Sequence, residues 1–151
     1  MSSVKPVPDG YHTVTPYLAI RGAAAAIEFY ATAFGAEELF RMPGPGGLVM
    51  HAEVRIGDSI VMLGEESPEM GATAPPTIGG SAVGLLLYVG DVDAACKRAT
   101  NAGCILEMPP TDMFWGDRYC KLRDPFGHKW SIATHKEDVS PEEMARRLAA
   151  M

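Results

Sequence analysis

Residues 49–56 read V-M-H-A-E-V-R-I, with Ala52, Val54 and Ile56 set against His51, Glu53 and Arg55. Strict alternation of this kind predicts a strand with one buried face. Residues 23–34 carry a different period. Ala23, Ala26, Ile27, Tyr30 and Phe34 recur at helical spacing, which predicts a helix with one apolar stripe, stopped by Gly35. These two signatures, period two and period 3.6, organise the whole chain.

Before the helix, residues 11–20 alternate well enough for a strand, with Leu18 and Ile20 on one face and Thr13, Thr15 and Tyr17 on the other. After it come a short strand over 37–41, a Gly/Pro turn over 42–47, the alternating strand 49–56, a Gly57-Asp58 turn and a strand over 59–63. Residues 65–81 show no period and read as a long loop, of the kind that is functional or mobile. A second series then begins: an apolar strand over 83–89, a helix over 91–102 stopped by Gly103, and a short strand over 105–107 followed by a Pro109-Pro110 loop. Strands over 118–122 and 129–134 follow, joined by the turn Asp124-Pro125-Phe126-Gly127. Trp130 is predicted to pack against a helix. Ser140-Pro141-Glu142-Glu143 opens a terminal helix of about 140–150: Ser caps, Pro takes the first position and acids fill the first turn.

Strand, small-residue helix, glycine stop, short strand and hairpin therefore occur twice. Ile20 and Val89 end the leading strands 69 positions apart, and at that offset Ala25 matches Ala94, Ala26 matches Ala95 and Ala33 matches Ala102. The repeated order of elements says more than the alanine identities. The expected architecture is α+β: one domain over 1–151 made of two βαβββ modules, about 11–64 and 82–135, plus the terminal helix.

Composition narrows the function. Thirteen basic and 19 acidic side chains give a net charge of −6, and no basic cluster exceeds Arg146–Arg147. That argues against nucleic acid as a partner. With 47% apolar residues and a mean hydropathy of +0.02, the chain reads as a globular protein without a membrane span. The leader carries no apolar signal stretch, and Cys96, Cys104 and Cys120 are odd in number without C-x-x-C spacing. Reduced thiols in the cytoplasm are the expectation.

Ile27-Glu28-Phe29-Tyr30 with Phe34-Gly35-Ala36, the segment Asp91-Val92-Asp93-Ala94-Ala95, and Asp124-Pro125-Phe126-Gly127-His128 together resemble the vicinal oxygen chelate superfamily. That group holds glyoxalase I, extradiol dioxygenases and bleomycin-resistance proteins. Residues 51–56 and 114–118 resemble its PhnB-like branch. The resemblance implies a mixed sheet curled around a cavity, associated with a homodimer. It also implies four strand positions for a divalent metal, which fall here on Thr15, Glu53, Gly84 and Ser131. One strong ligand in four does not hold a metal.

Three readings follow. The first is a metal-free small-molecule-binding protein that sequesters a ligand in the cavity, with Thr15, Tyr17, His51, Glu53, Arg55, Phe114, Trp115 and Arg118 lining the pocket. The second is a metal-dependent lyase, isomerase or dioxygenase in which His12, His51 and Glu53 hold Zn, Ni, Mn or Fe. Whether the protein is an enzyme stays open at this point. A third reading is metal-free acid–base chemistry, with Glu53 the candidate catalytic group, a carboxylate tuned by His51 or Arg55. The plainer alternatives are a solvated stripe at 51–55, an aromatic core plug at 114–115 with an Asp117–Arg118 surface pair, and solvent-facing His128 and His135.

Overall fold

The structure, a computed structural model, describes residues 3–151; Met1 and Ser2, the first residues of the polar leader, lie outside the described residues. The chain divides into two units, Met1–Gly80 and Ser81–Met151. The first carries β1 (Tyr17–Ile20), α1 (Ala23–Phe34), β2 (Glu37–Pro43), β3 (Val49–Ile56) and β4 (Ser59–Glu65), then the single helical turn α2 (Pro75–Ile78). The second carries β5 (Gly84–Tyr88), α3 (Val92–Ala102), β6 (Ile105–Asp112), β7 (Asp117–Arg123), β8 (Lys129–His135) and α4 (Pro141–Ala149).

Both sheets have the same plan. The orders are β1-β4-β3-β2 and β5-β8-β7-β6, with the first strand parallel to the last and the other neighbours antiparallel. This is the βαβββ module, present twice. In each unit a helix covers one face of its sheet. Ala52 and Val54 of β3 are fully buried beneath α1, together with Ala23, Ala26, Ile27 and Tyr30 of the helix itself. Alanines along the stripe let the helix axis approach the strands closely, and Tyr30 then fills the remaining depth and stacks on Phe34. In the second unit Cys96 and Ala99 of α3 and Cys120, Leu122, Trp130 and Ile132 of the sheet form the core. Burial pushes the Cys104 and Cys120 thiols up to about 12, so both stay protonated at neutral pH.

Helix ends follow their sequence signals. Asp91 accepts the Ala94 N–H and Ser140 accepts the Glu143 N–H. Gly35, at φ 71°, closes α1 by donating to Ala31 O, while Ala36 donates to Tyr30 O. The start of α1 has no local cap. The carboxylate of Glu65, at the end of β4, accepts from both Gly22 N and Ala23 N at 3.0 Å. A residue 43 positions away thus satisfies the free amides and the helix dipole.

Three expectations need correction. The first strand is four residues long, not ten, so His12 and Thr15 lie in irregular chain before it. Strand β6 runs through Pro109 and Pro110 instead of ending before them. It is an edge strand with register shifts between Leu106 and Met108 and between Met108 and Thr111, so missing amide donors break no interior ladder. Residues 65–81 are a fastened strap and not a free loop. Glu66 accepts from Arg21 Nε at 3.0 Å, Thr77 Oγ1 at 2.6 Å and Ala74 N at 3.2 Å, which binds α2 to the start of α1.

Candidate functional site

The register of the first sheet sets Tyr17, Met62, Glu53 and Phe40 side by side across β1, β4, β3 and β2. Because side chains alternate, this row lies on the face opposite the helix. Gly64 brings β3 and β4 close here: a Cβ at that position would sit 2.4 Å from Met50 O. His51 occupies the same face as Glu53, two residues away.

A hydrogen-bond chain joins these groups. Tyr17 Oη lies 2.8 Å from His51 Nδ1, and His51 Nε2 lies 2.9 Å from Glu53 Oε2. The Tyr11 hydroxyl donates to the other carboxylate oxygen, Oε1. Tyr11 and then His51 hold the Glu53 carboxyl below the usual carboxylate range, against the opposing effect of burial. Burial, with the neighbouring Glu53 charge, in turn pushes Tyr11 up to about 12. The Glu53 side chain is 22% exposed and Tyr17 is 58% exposed, so the carboxylate is recessed while the phenol stands at the surface. The rings of Tyr17 and Phe40 flank the imidazole, with centroids 5.4 Å and 6.3 Å from it.

Of the residues named from the sequence, this unit brings Tyr17, His51 and Glu53 together. Arg55 is on the same strand, yet its partner is Glu37 at 3.7 Å and it plays no part in shifting Glu53. Thr15 stays outside the hydrogen-bonded chain. Tyr11 is the member that the pattern missed. It lies beyond the regular strand, and its only local signal is a phenol following the Pro8-Asp9-Gly10 turn, where Tyr11 N bonds Pro8 O at 3.1 Å.

Phe114, Trp115 and Arg118 belong to the second unit. The 114–116 turn is locked by Gly116, at φ +105°, whose absent Cβ would sit 2.3 Å from Glu137 O. Gly116 O accepts from Lys136 N and Glu137 N at 2.8 and 3.1 Å. The turn delivers Asp117, only 3% exposed, to three donors: Tyr88 Oη at 2.8 Å, Trp115 Nε1 at 3.1 Å and His135 Nδ1 at 2.7 Å. Burial raises the Asp117 carboxyl, and the three bonds together outweigh it, so the group is held below its ordinary value. Asp138 and then Asp117 raise His135. His135 is exposed, as the sequence suggested, and is also engaged at both nitrogens. Arg118 does not pair with Asp117; its fork grips both Asp93 oxygens at 2.8 and 3.0 Å and reaches Asp112 at 3.1 Å. A cavity of about 300 Å³ beside this knot is lined by Asp112, Met113, Gly116, Asp117, Lys136 and Glu137.

The family model of the Glyoxalase/Bleomycin resistance protein/Dioxygenase superfamily matches residues 11–132. The chain belongs to this superfamily. An uncharacterized protein of Mycobacterium bovis is 42% identical over 140 residues, covering 91% of this chain and 92% of its own. Among solved structures, TioX from Micromonospora sp. ML1 is 27% identical at a TM-score of 0.65, covering 85% of this chain and 100% of that one. TnmS3, an antibiotic binding protein from Streptomyces sp. CB03234, is 27% identical at a TM-score of 0.63, covering 83% and 96%. A PhnB protein from Bacillus cereus, 16% identical at a TM-score of 0.62 and covering 82% and 99%, shares the fold.

The superfamily includes metal-dependent members, and the side chains here do not match that use. Among the described residues, no group of three or more His, Cys, Asp or Glu is arranged to hold a metal ion. His51 and Glu53 point their donor atoms at each other, Gly84 offers no side chain, and the Ser131 hydroxyl bonds Tyr119 at 2.8 Å.

Proposed function

We propose that this protein binds a small molecule, without a metal, on the open face of its first sheet, in the manner of a bleomycin-resistance protein. The carrying observation is the Tyr11–Glu53–His51–Tyr17 chain on a face bordered by exposed aromatic rings. Recognition sites pair flat apolar surface with a few fixed polar groups. Tyr17 and Phe40 supply the first, and Glu53 with His51 the second. The likeness to an antibiotic binding protein at 27% identity supports sequestration over turnover.

Homodimerisation and a cytoplasmic location with reduced thiols complete this reading. Among the described residues no helix is long and apolar enough to cross a membrane. The test is calorimetric titration of bleomycin and a panel of aromatic antibiotics into the native protein and into Glu53→Gln. Binding is expected in the native protein and at least tenfold weaker in the variant. Metal analysis of chelator-free protein decides against the reading if it finds stoichiometric metal that Glu53→Gln loses.

A further inference from the structure

Every hydrogen of the first-unit chain has a fixed direction. The ionised Glu53 carboxylate is an acceptor only. Nε2 of His51, facing Glu53 Oε2 at 2.9 Å, must therefore carry the imidazole hydrogen. In the neutral ring Nδ1 is then a bare lone pair, so the Tyr17 hydroxyl 2.8 Å away is the donor in that contact. Tyr11 likewise donates to Oε1. Three hydrogens, from Tyr11, Tyr17 and His51, all point into the chain.

What the chain leaves unused is lone pairs: those of the two phenolic oxygens and the second pairs of the carboxylate. Arg55, two residues along the same face, is 43% exposed with Glu37 3.7 Å away, and its guanidinium borders this acceptor patch. We infer that the patch formed by Tyr11, Tyr17 and Glu53 presents acceptors only, selecting flat aromatic ligands that bring hydroxyl or amino hydrogens to it and disfavouring those that bring only acceptors. The inference rests on the ligand-binding reading above and adds the polarity of the ligand. An acceptor-only ligand would set lone pair against lone pair at Tyr17, or would have to turn a phenolic hydrogen outward and leave His51 Nδ1 unpaired.

A matched pair of probes tests it: 2-naphthol, which carries an O–H, and 2-methoxynaphthalene, of the same ring and without the hydrogen. Affinities are measured by NMR titration of the native protein, Tyr17→Phe and Glu53→Gln. The native protein is expected to prefer 2-naphthol about tenfold, the size of one good hydrogen bond lost or opposed. Tyr17→Phe removes an outward acceptor, and Glu53→Gln puts an amide donor into the chain and frees a phenolic hydrogen; each is expected to cut the preference below about threefold. Equal binding of the two probes by the native protein overturns the acceptor rule and leaves ligand binding standing. A preference that survives in both variants places its origin elsewhere and also overturns the rule. Binding of neither probe overturns the rule together with the binding reading.

Discussion

Each unit sets a carboxylate on the third strand of its module, Glu53 on β3 and Asp117 on β7, and gives it a tyrosine hydroxyl and a histidine nitrogen. The components are alike and the outcomes differ. Glu53 lies in a row of exposed rings, 22% open to solvent. Asp117 is 3% exposed, has Trp115 as a third donor, and is tied through His135 to Asp138. A carboxylate that water can reach is available for the ligand recognition proposed above. The same carboxylate sealed by three donors is a structural knot, whose loss strands all three.

The largest expected effect is therefore in stability and belongs to the second unit. Asp117→Ala leaves Tyr88, Trp115 and His135 without their acceptor, and is expected to cost about 3 kcal/mol. Glu53→Ala leaves groups that water can serve, and is expected to cost under about 1 kcal/mol. Urea denaturation of both variants compares them. Equal losses would erase the distinction between knot and recognition site.

The next effect is the pH profile. Asp117 is depressed in the folded protein, so its contribution is complete above the unfolded carboxylate value near 4 and drains away as pH falls through the lower native value. His135 is raised, so its contribution is complete below the ordinary imidazole value of about 6.5 and is lost as pH rises through the higher folded value. Both are present between about pH 4 and 6.5. Both tryptophans, Trp115 and Trp130, lie in the second unit, so fluorescence-detected unfolding reports on it. Asp117→Asn is expected to flatten the acid limb of the native curve. His135→Gln is expected to flatten the alkaline limb by a smaller amount, because the imidazole is half-exposed. An unchanged acid limb in Asp117→Asn would show that Asp117 does not carry it.

The sequence was most legible where one local rule governs. Alternation in β3 places His51 and Glu53 on the face away from α1, and the caps at Asp91 and Ser140 stand where the motifs put them. It was least legible where a distant partner decides. Glu65 caps α1 from the end of β4, Glu66 fastens the 65–81 strap, and β6 carries two prolines because an edge with shifted register tolerates them. At the sites, the sequence named His51, Glu53 and Tyr17 but could not connect them, since the contacts cross three strands. It also grouped Arg118 with Asp117 as neighbours in sequence. Successive strand residues point to opposite faces, and Arg118 finds Asp93 on α3 instead.

The smallest effect tests the part no pattern predicted, the closure of the site by the leader. Tyr11 is the largest influence holding Glu53 below its ordinary value, ahead of His51. Tyr11→Phe keeps the ring and removes only the hydroxyl, so Oε1 loses its donor and nothing else changes. The Glu53 carboxyl is then expected to titrate closer to the ordinary glutamate value, read by carbon-detected NMR of the side-chain carboxyl. His51→Gln is expected to move it less. The direction follows from charge: a donor favours the ionised form, so deleting it favours the protonated one. If His51→Gln moved Glu53 further than Tyr11→Phe, the carboxylate would be set by its own strand, unlike Asp117, whose donors come from β5, β8 and the turn before β7. The leader would then have no share in the polarity of the site.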